Sequence, residues 1–267
     1  MNTQANKGTA LITGASSGIG AVYANRLAHR GYDLILVARD LKKLDALAAE
    51  LIGKTGRKVA TIKADLSIGN ELREIEARLT ADHNITMLVN NAGAGATKSL
   101  IDSAPADLDL LITLNVLALT RLTRAVAPKM VARGHGTIIN ISSIVALSPE
   151  LLNGTYAGTK AYVLSLTQSL HHEIGSKGVQ LQAVLPGAIS TPFWDKAGLP
   201  ISNLPNEIVM TADDLVDAAL AGLDAGELVT IPSLPDVADW KRYEDSRLAL
   251  APNLSRNKPA ARYAVTA

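Results

Sequence analysis

Two groups of residues in this 267-residue chain have types and spacing suited to chemistry. The first is Thr13-Gly14-Ala15-Ser16-Ser17-Gly18-Ile19-Gly20, which follows a short apolar run and opens a helical pattern. Glycines at such a turn let the backbone bend tightly and approach a pyrophosphate. The helix behind them offers free N–H groups and positive dipole character to phosphates. The second is Tyr156 with Lys160. Four residues apart, they share one face of a helix and put a phenol beside an ammonium. Other candidates fall away. His171 and His172 are adjacent, point to different faces of a helix and cannot chelate one metal together, so no metal site is expected. Gly53-Lys54-Thr55 resembles the end of a P-loop, but Ala48 stands where that motif needs glycine, and a helix rather than a strand precedes it. The absence of cysteine excludes disulfides, thiolate catalysis and Cys-based zinc sites.

The elements that must position these residues follow from periodicity. Short runs rich in Val, Ile and Leu, as in strands buried on both faces, occur at 8–12, 33–38, 58–63, 87–90, 137–141, 179–185 and 228–231. Helical patterns lie between them at 18–30, 41–53, 68–81, 106–133, 153–176 and 211–225, with Gly53 as a stop signal. Strand then helix, repeated, predicts an α/β fold: a doubly wound, seven-stranded parallel sheet with helices on both faces, in a single domain over 1–267. One stretch breaks the rhythm. Pro186, Pro192, Pro200 and Pro205 are interleaved with Phe193, Trp194, Leu199, Ile201 and Leu204. A long segment of this kind in a compact domain is usually functional, and 188–210 is read as a substrate-binding loop and mobile lid. A mixed polar tail is expected over 251–267.

Hydrophobic residues make up 48% of the chain and the formal net charge is +1, which argues for a large core and against nucleic-acid or polybasic membrane surfaces. The first seven residues are polar, no signal peptide is evident and no apolar run of about 18 residues is seen, so no membrane span is expected. A cytoplasmic location is expected. Asn84-Ile85-Thr86 and Asn153-Gly154-Thr155 match the glycosylation pattern and are read as chance.

With more of the chain in view, the glycine turn resembles that of the short-chain dehydrogenase/reductase family in its single-domain form. Asn90-Asn91-Ala92-Gly93 is similar to the family's N-N-A-G motif, and Tyr156-Ala157-Gly158-Thr159-Lys160 matches its Y-x-x-x-K. Ser143 lies thirteen residues before Tyr156, Asn115 sits in the long helix after the fourth strand, and Pro186-Gly187 ends the sixth strand. The resemblance runs from about residue 8 to 192 in correct order.

It implies a Rossmann-like oxidoreductase moving a hydride between NADP(H) and a carbonyl or secondary alcohol, with the hydride chemistry belonging to the cofactor. Tyr156 would be the general acid/base, Ser143 would hold the substrate oxygen, and Lys160 would bond the nicotinamide ribose. Asn115 would hold a water linking Lys160 to solvent. A free tyrosine titrates near 10, and the nearby lysine with the cationic nicotinamide would lower that by roughly 1–3 units. Cofactor contacts are expected from Gly14, Ser16, Ser17, Gly18, Ile19 and Gly20, and from Arg39, Asp65, Leu66, Asn91, Ala92 and Gly93. Tyr156, Lys160, Pro186, Gly187, Ile189 and Thr191 complete the set.

The end of the second strand points to NADP(H) rather than NAD(H). Ala38 offers no carboxylate for a ribose 2′-hydroxyl, while Arg39 can pair with a 2′-phosphate. Asp40 is read as the next helix's N-cap, and Asp65 or Ser67 as that of the third helix. Ala94, Ile144, Val145, Leu152, Phe193 and Trp194 should line a mostly apolar pocket, with Arg124 and Arg133 on the surface. An uncharged, moderately hydrophobic small-molecule ketone, aldehyde or alcohol is expected. Alternatives are a 3-oxoacyl-type reductase and a non-catalytic NADP(H)-binding regulator. An extended-type epimerase or dehydratase does not fit, since its T-G-x-x-G-x-x-G turn and larger C-terminal domain are lacking. A homo-oligomer, dimer or tetramer, is expected through 106–133 and 153–176, whose apolar residues include Leu164, Leu166 and Leu170.

Overall fold

The computed structural model describes residues 6–263. It divides into two compact units, Met1–Pro232 and Ser233–Ala267. In the first, strands β1 (Thr9–Thr13), β2 (Asp33–Ala38), β3 (Val59–Lys63), β4 (Ile85–Asn90), β5 (Gly136–Ile141) and β6 (Val179–Val184) join a short later strand, Val229–Thr230, in one seven-stranded sheet. With that last strand as β9, the order is β3-β2-β1-β4-β5-β6-β9 and every pairing is parallel. The order reverses at β1, where β2 and β4 lie on opposite sides, and such a switch point leaves a crevice beyond the strand ends.

Alternation along the strands explains the layers. Ala10, Ile12, Leu34, Leu36, Met87, Val89 and Ile139 face α1 (Gly18–His29), α2 (Leu41–Thr55) and α8 (Ala212–Asp224), meeting Tyr23, Leu44, Leu51 and Leu215. Leu11, Ile35, Val37, Leu88, Ile138 and Leu181 face the other way, onto α3 (Gly69–Ala81) and α5 (Leu119–Arg133), meeting Leu72, Ile75, Leu122 and Val126. Fully buried strands need apolar residues on both faces, hence the near-continuous Val, Ile and Leu runs.

Several expectations are corrected. The single helix expected at 106–133 is α4 (Pro105–Ile112), a π-helical stretch Thr113–Ala118, and α5. A π-turn inserts an extra residue, and 3.6-residue periodicity cannot reveal it. This run, 105–133, is also long and apolar enough by composition to cross a membrane, which the sequence reading had denied. Its inward residues Leu111, Ala118, Leu122 and Met130 are buried in the fold. Helix α2 runs through Gly53 and stops at Gly56. The proline-rich stretch contains β7 (Ala188–Ser190), a five-residue helix α7 (Phe193–Ala197) and β8 (Val209–Thr211), with β7 and β8 forming a separate parallel pair.

The tail expected from residue 251 gives way to a unit that starts at Ser233. It holds α9 (Val237–Ala249), with Asp236 accepting from the Ala238 N–H at its start and Trp240 stacked on Tyr243 at 5.3 Å. Residues 264–267 of the expected tail lie outside the described residues.

Candidate active site

The carboxyl ends of the first unit's strands gather the residues singled out in the sequence. Thr13 ends β1 and is buried. Its Oγ1 donates to Val89 O (3.3 Å) and accepts from the N–H groups of Asn91 and Ala92, both at 3.0 Å. Asn91 replies through Nδ2, which donates to the carbonyls of Thr13 (2.9 Å) and Gly14 (3.2 Å). The glycine turn is thereby locked to the turn after β4. Gly14 has φ +67°, and a Cβ on Gly20 would lie 2.4 Å from Gly14 O and 2.5 Å from Asn91 Nδ2, so neither position admits a side chain. Ser17 caps α1 without a side-chain hydrogen bond, leaving the first helical N–H groups for an anionic ligand. Thr191 is brought against Gly18. The side chains of Leu66 and Ile189 are buried in the two cores, so these two can reach a ligand only through their backbones.

Thr13→Val keeps the shape of this hub and leaves the Asn91 N–H its bond to Val89 O at 3.1 Å, but takes from the Ala92 N–H its acceptor. The expected loss is about 1–3 kcal/mol of stability, the cost of one unmet donor. Thermal unfolding checks it: an unchanged Tm would show that water replaces the hydroxyl.

Beyond β2, Arg39 is 65% exposed, and its carboxylate neighbour is Asp65 at 3.8 Å. Asp40 caps α2, accepting from the Lys43 N–H at 3.1 Å, as its sequence position implied. Neither Asp65 nor Ser67 caps α3, which starts after Ile68. Asp65 instead accepts from Ser67 N and Oγ (3.0 and 2.6 Å), while its own N–H donates to Glu71. Partial burial would raise its carboxyl, but the Ser67 hydrogen bonds and the Arg39 charge hold it below the usual range.

Helix α6 (Gly154–Ile174) carries Tyr156 and Lys160. Asn153 fixes its start, accepting from the N–H groups of Thr155 (2.9 Å) and Tyr156 (3.1 Å) and donating to Lys98 O (2.7 Å). That buried, fully engaged amide is no glycan acceptor in the fold. Tyr156 and Lys160 are 5% and 7% exposed. Lys160 Nζ lies 5.7 Å from the Tyr156 ring centre and donates to Ile141 O at 2.9 Å, while Ser142 Oγ holds the Lys160 carbonyl at 2.7 Å. Ser143, just past β5, donates to Pro186 O (3.4 Å) and accepts from Val145 N (3.3 Å).

Asn115 sits in the π-helical stretch. Its Oδ1 accepts from Ala94 N (2.9 Å), and Nδ2 donates to Ala94 O (2.9 Å) and Thr159 Oγ1 (3.1 Å). The side chain expected to hold a water is thus a clamp between the β4 turn and α6. A Cβ on Gly93 would lie 3.1 Å from Asn115 Oδ1 and 3.7 Å from Lys160 Nζ, so the three share one small space.

Burial dominates the electrostatics. It pushes the Tyr156 phenol up to about 12, with the Ser143 hydrogen bond drawing it partly back, and pushes Lys160 down to about 8. The expected lowering of Tyr156 by Lys160 is not met in the protein alone, because desolvation outweighs an ammonium turned toward the Ile141 carbonyl. Tyr156 therefore holds its proton at neutral pH, the state needed to protonate a developing alkoxide. Lys160 should lose its charge as pH rises through about 8. If that charge is needed, kcat/KM for the reduced cofactor, which reports the free enzyme, stays level up to about pH 8 and then falls about tenfold per unit. A profile level to about pH 10 would remove Lys160 from the reaction.

An apolar cluster packs with Tyr156. Leu111, Val145 and Ala157 are buried with Tyr156, and Ala94, Leu152 and Phe193 pack against them. Trp194 does not join this cluster: its Nε1–H donates to Ile189 O at 2.9 Å. Arg133, read as a surface residue, donates to the carbonyls of His83, Ile85 and His135. Thr13, Asn153, Thr159 and Ser142 were missed in the sequence. The available signal was a short polar side chain within or a few residues before each recognised motif.

The short chain dehydrogenase family model matches residues 8–200. A short-chain dehydrogenase from Sphingobium yanoikuyae, solved in complex with NADPH, is 47% identical, with a TM-score of 0.94 over 96% of this chain and 100% of that one. The bulky-bulky ketone specific alcohol dehydrogenase from Comamonas testosteroni is 43% identical, with a TM-score of 0.89 over 97% and 99% of the two chains. The very-long-chain 3-oxoacyl-CoA reductase of Bos taurus is 39% identical over 198 residues, 70% of this chain and 63% of that protein. The chain thus spans less than two thirds of that relative's length.

Proposed function

The chain belongs to the short-chain dehydrogenase family, and from that premise we propose that it is an NADP(H)-dependent oxidoreductase reducing uncharged, bulky, apolar ketones, with Tyr156 as the acid. The observation that carries the substrate class is the apolar cluster packed with Tyr156: Leu111, Val145, Ala157, Ala94, Leu152 and Phe193. The alcohol dehydrogenase from Comamonas testosteroni, named for bulky-bulky ketones, supports the same class.

The residues present fit NADP(H). The compressed glycine turn leaves backbone N–H groups for phosphates, and the exposed Arg39 follows a strand end without a carboxylate. Gly14, Ser16, Ser17, Gly18, Ile19 and Gly20 would hold the pyrophosphate, Arg39 the 2′-phosphate, and Asp65 with the Leu66 backbone the adenine. Asn91, Ala92 and Gly93 would lie along the nucleotide, with Pro186, Gly187, Ile189 and Thr191 around the nicotinamide. When bound, the cofactor supplies the hydride. Ser143 and Tyr156 orient the substrate oxygen, and the Tyr156 hydroxyl gives it a proton. The Lys160 charge stabilises the phenolate left behind, while Phe193 excludes water beside the ring.

An NADPH-oxidation screen of diaryl and alkyl-aryl ketones, small ketones and 3-oxoacyl thioesters tests this reading. Bulky ketones should turn over fastest. The 39% identity to the Bos taurus reductase favours a second reading, a 3-oxoacyl-type reductase, and preferential turnover of thioesters would establish it. A purely regulatory nucleotide binder has no use for the buried Ser143, Tyr156 and Lys160, and turnover of any carbonyl rules it out.

The protein is also proposed to form a homo-oligomer, dimer or tetramer. The helices are the ones expected, but of their apolar residues Leu164 is buried and Leu166 and Leu170 are partly so. Ile112 (49% exposed), Leu117 (46%) and Tyr162 (37%) instead leave apolar surface on the 105–133 run and α6. Light scattering at micromolar concentration should find at least a dimer, and a monomer overturns this.

A further inference from the structure

Gly95 lies in the loop between β4 and α4, two residues past Gly93. A Cβ built on it would lie 2.1 Å from Cζ of Phe193 and 2.8 and 2.9 Å from Cε2 and Cε1. The tip of the Phe193 ring therefore rests on the Gly95 backbone, in space that any side chain at 95 would fill. The same ring faces Tyr156, with ring centres 6.1 Å apart, and meets Trp194 edge-on at 5.8 Å. Two residues further along the loop, Thr97 Oγ1 donates to Ala197 O at 2.7 Å. Helix α7 is thus clasped at both ends, by a ring seated on a glycine and by a hydroxyl on a carbonyl.

We propose that Gly95 is a specificity-determining residue: its missing side chain is the seat that lets Phe193 close beside Tyr156, so the residue at 95 sets how α7 shuts over the substrate carbonyl. The proposal rests on the reductase reading of this site. Gly95 is not among the glycines with positive φ, so its backbone accepts alanine without strain. The conflict is confined to the end of one side chain. A ring tip can turn away where a backbone cannot, so alanine at 95 displaces Phe193 and leaves the fold intact. The displaced ring takes Trp194 with it and opens the wall on which a substrate would be held.

Leucine at 193 lacks Cε1, Cε2 and Cζ, the atoms that touch Gly95, which makes the test a double-mutant comparison. In a Trp240→Phe background, where Trp194 is the one remaining indole, Gly95→Ala, Phe193→Leu and the double variant are compared. Two quantities are read: acrylamide quenching of Trp194, which is 8% exposed in this structure, and steady-state kinetics with a ketone substrate. Gly95→Ala should open Trp194 to quencher and lower kcat/KM about tenfold, mainly through KM, as overpacking of this size implies. The NADPH dissociation constant should hold, and Tm should drop by only about 2–4 °C. With leucine at 193, the same change at 95 should have little effect on either reading. Unchanged quenching in Gly95→Ala, or equal effects in both backgrounds, would overturn the seat. If no ketone is turned over even by the unsubstituted enzyme, the reductase reading fails by itself, and the quenching comparison still decides whether Gly95 seats the ring.

Discussion

Tyr156→Phe is expected to lower turnover about 100- to 10,000-fold, the usual contribution of a positioned acid–base group, while leaving NADPH affinity nearly unchanged. The two effects separate because ring and hydroxyl have different work. The ring packs in the apolar cluster with Val145 and faces Phe193, and phenylalanine keeps those contacts. The change leaves Ser143 its bonds to the Pro186 carbonyl and the Val145 N–H. No buried polar group is stranded, so the fold should survive. Steady-state NADPH oxidation with a ketone gives the first quantity and nucleotide fluorescence titration the second. Substantial residual turnover with a normal dissociation constant would show that the proton comes from elsewhere.

Cofactor preference should turn on Arg39. A charge-assisted contact to a 2′-phosphate is worth roughly 1.5–3 kcal/mol, which converts to about 10- to 150-fold. NADPH should therefore exceed NADH by at least about tenfold in kcat/KM, and Arg39→Leu should remove most of that margin. The surroundings oppose this little. Arg39 is 65% exposed and its contact with Asp65 is long, at 3.8 Å, so releasing that partner costs little. Asp40, the acidic residue next to it, is occupied capping α2. Steady-state kinetics with both nucleotides decide the matter. Equal efficiency in the unmodified enzyme would mean that Arg39 points away from the phosphate.

What could be read in the sequence was whatever repeats or is chemically distinctive. Most strands of the main sheet announce themselves because burial on both faces demands runs rich in Val, Ile and Leu, although β3 is only partly buried and β6 carries Gln180 and Gln182. The glycine turn, Asn91, Ser143, Tyr156 and Lys160 are legible because their chemistry demands particular residue types in a fixed order. The rest depends on tertiary partners. The π-turn around Asn115 changes no residue type, only the hydrogen-bond count. Strands β7 and β8 have three residues each, too few for any period to show. Helix α9 has no buried residue among those described, so its pattern carries no apolar stripe. Arg133 reads as a solvated cation until three carbonyls are found around it. The upward push on the Tyr156 phenol in the protein alone could not be read from the Y-x-x-x-K spacing, because depth of burial is a property of the fold.

The bonds between Thr13 and Asn91 also bear on the order in which this protein can become competent. They join residues 78 apart in the chain, and the β1–β4 pairing beside them is as distant. Such contacts form only after a large loop has closed. A growing chain that has emerged as far as β3 already contains the whole glycine turn but not the asparagine that locks it. Nucleotide therefore cannot template the early steps of folding. It can stabilise only chains in which β4 has entered the sheet, so ligand added during refolding should slow unfolding more than it speeds folding.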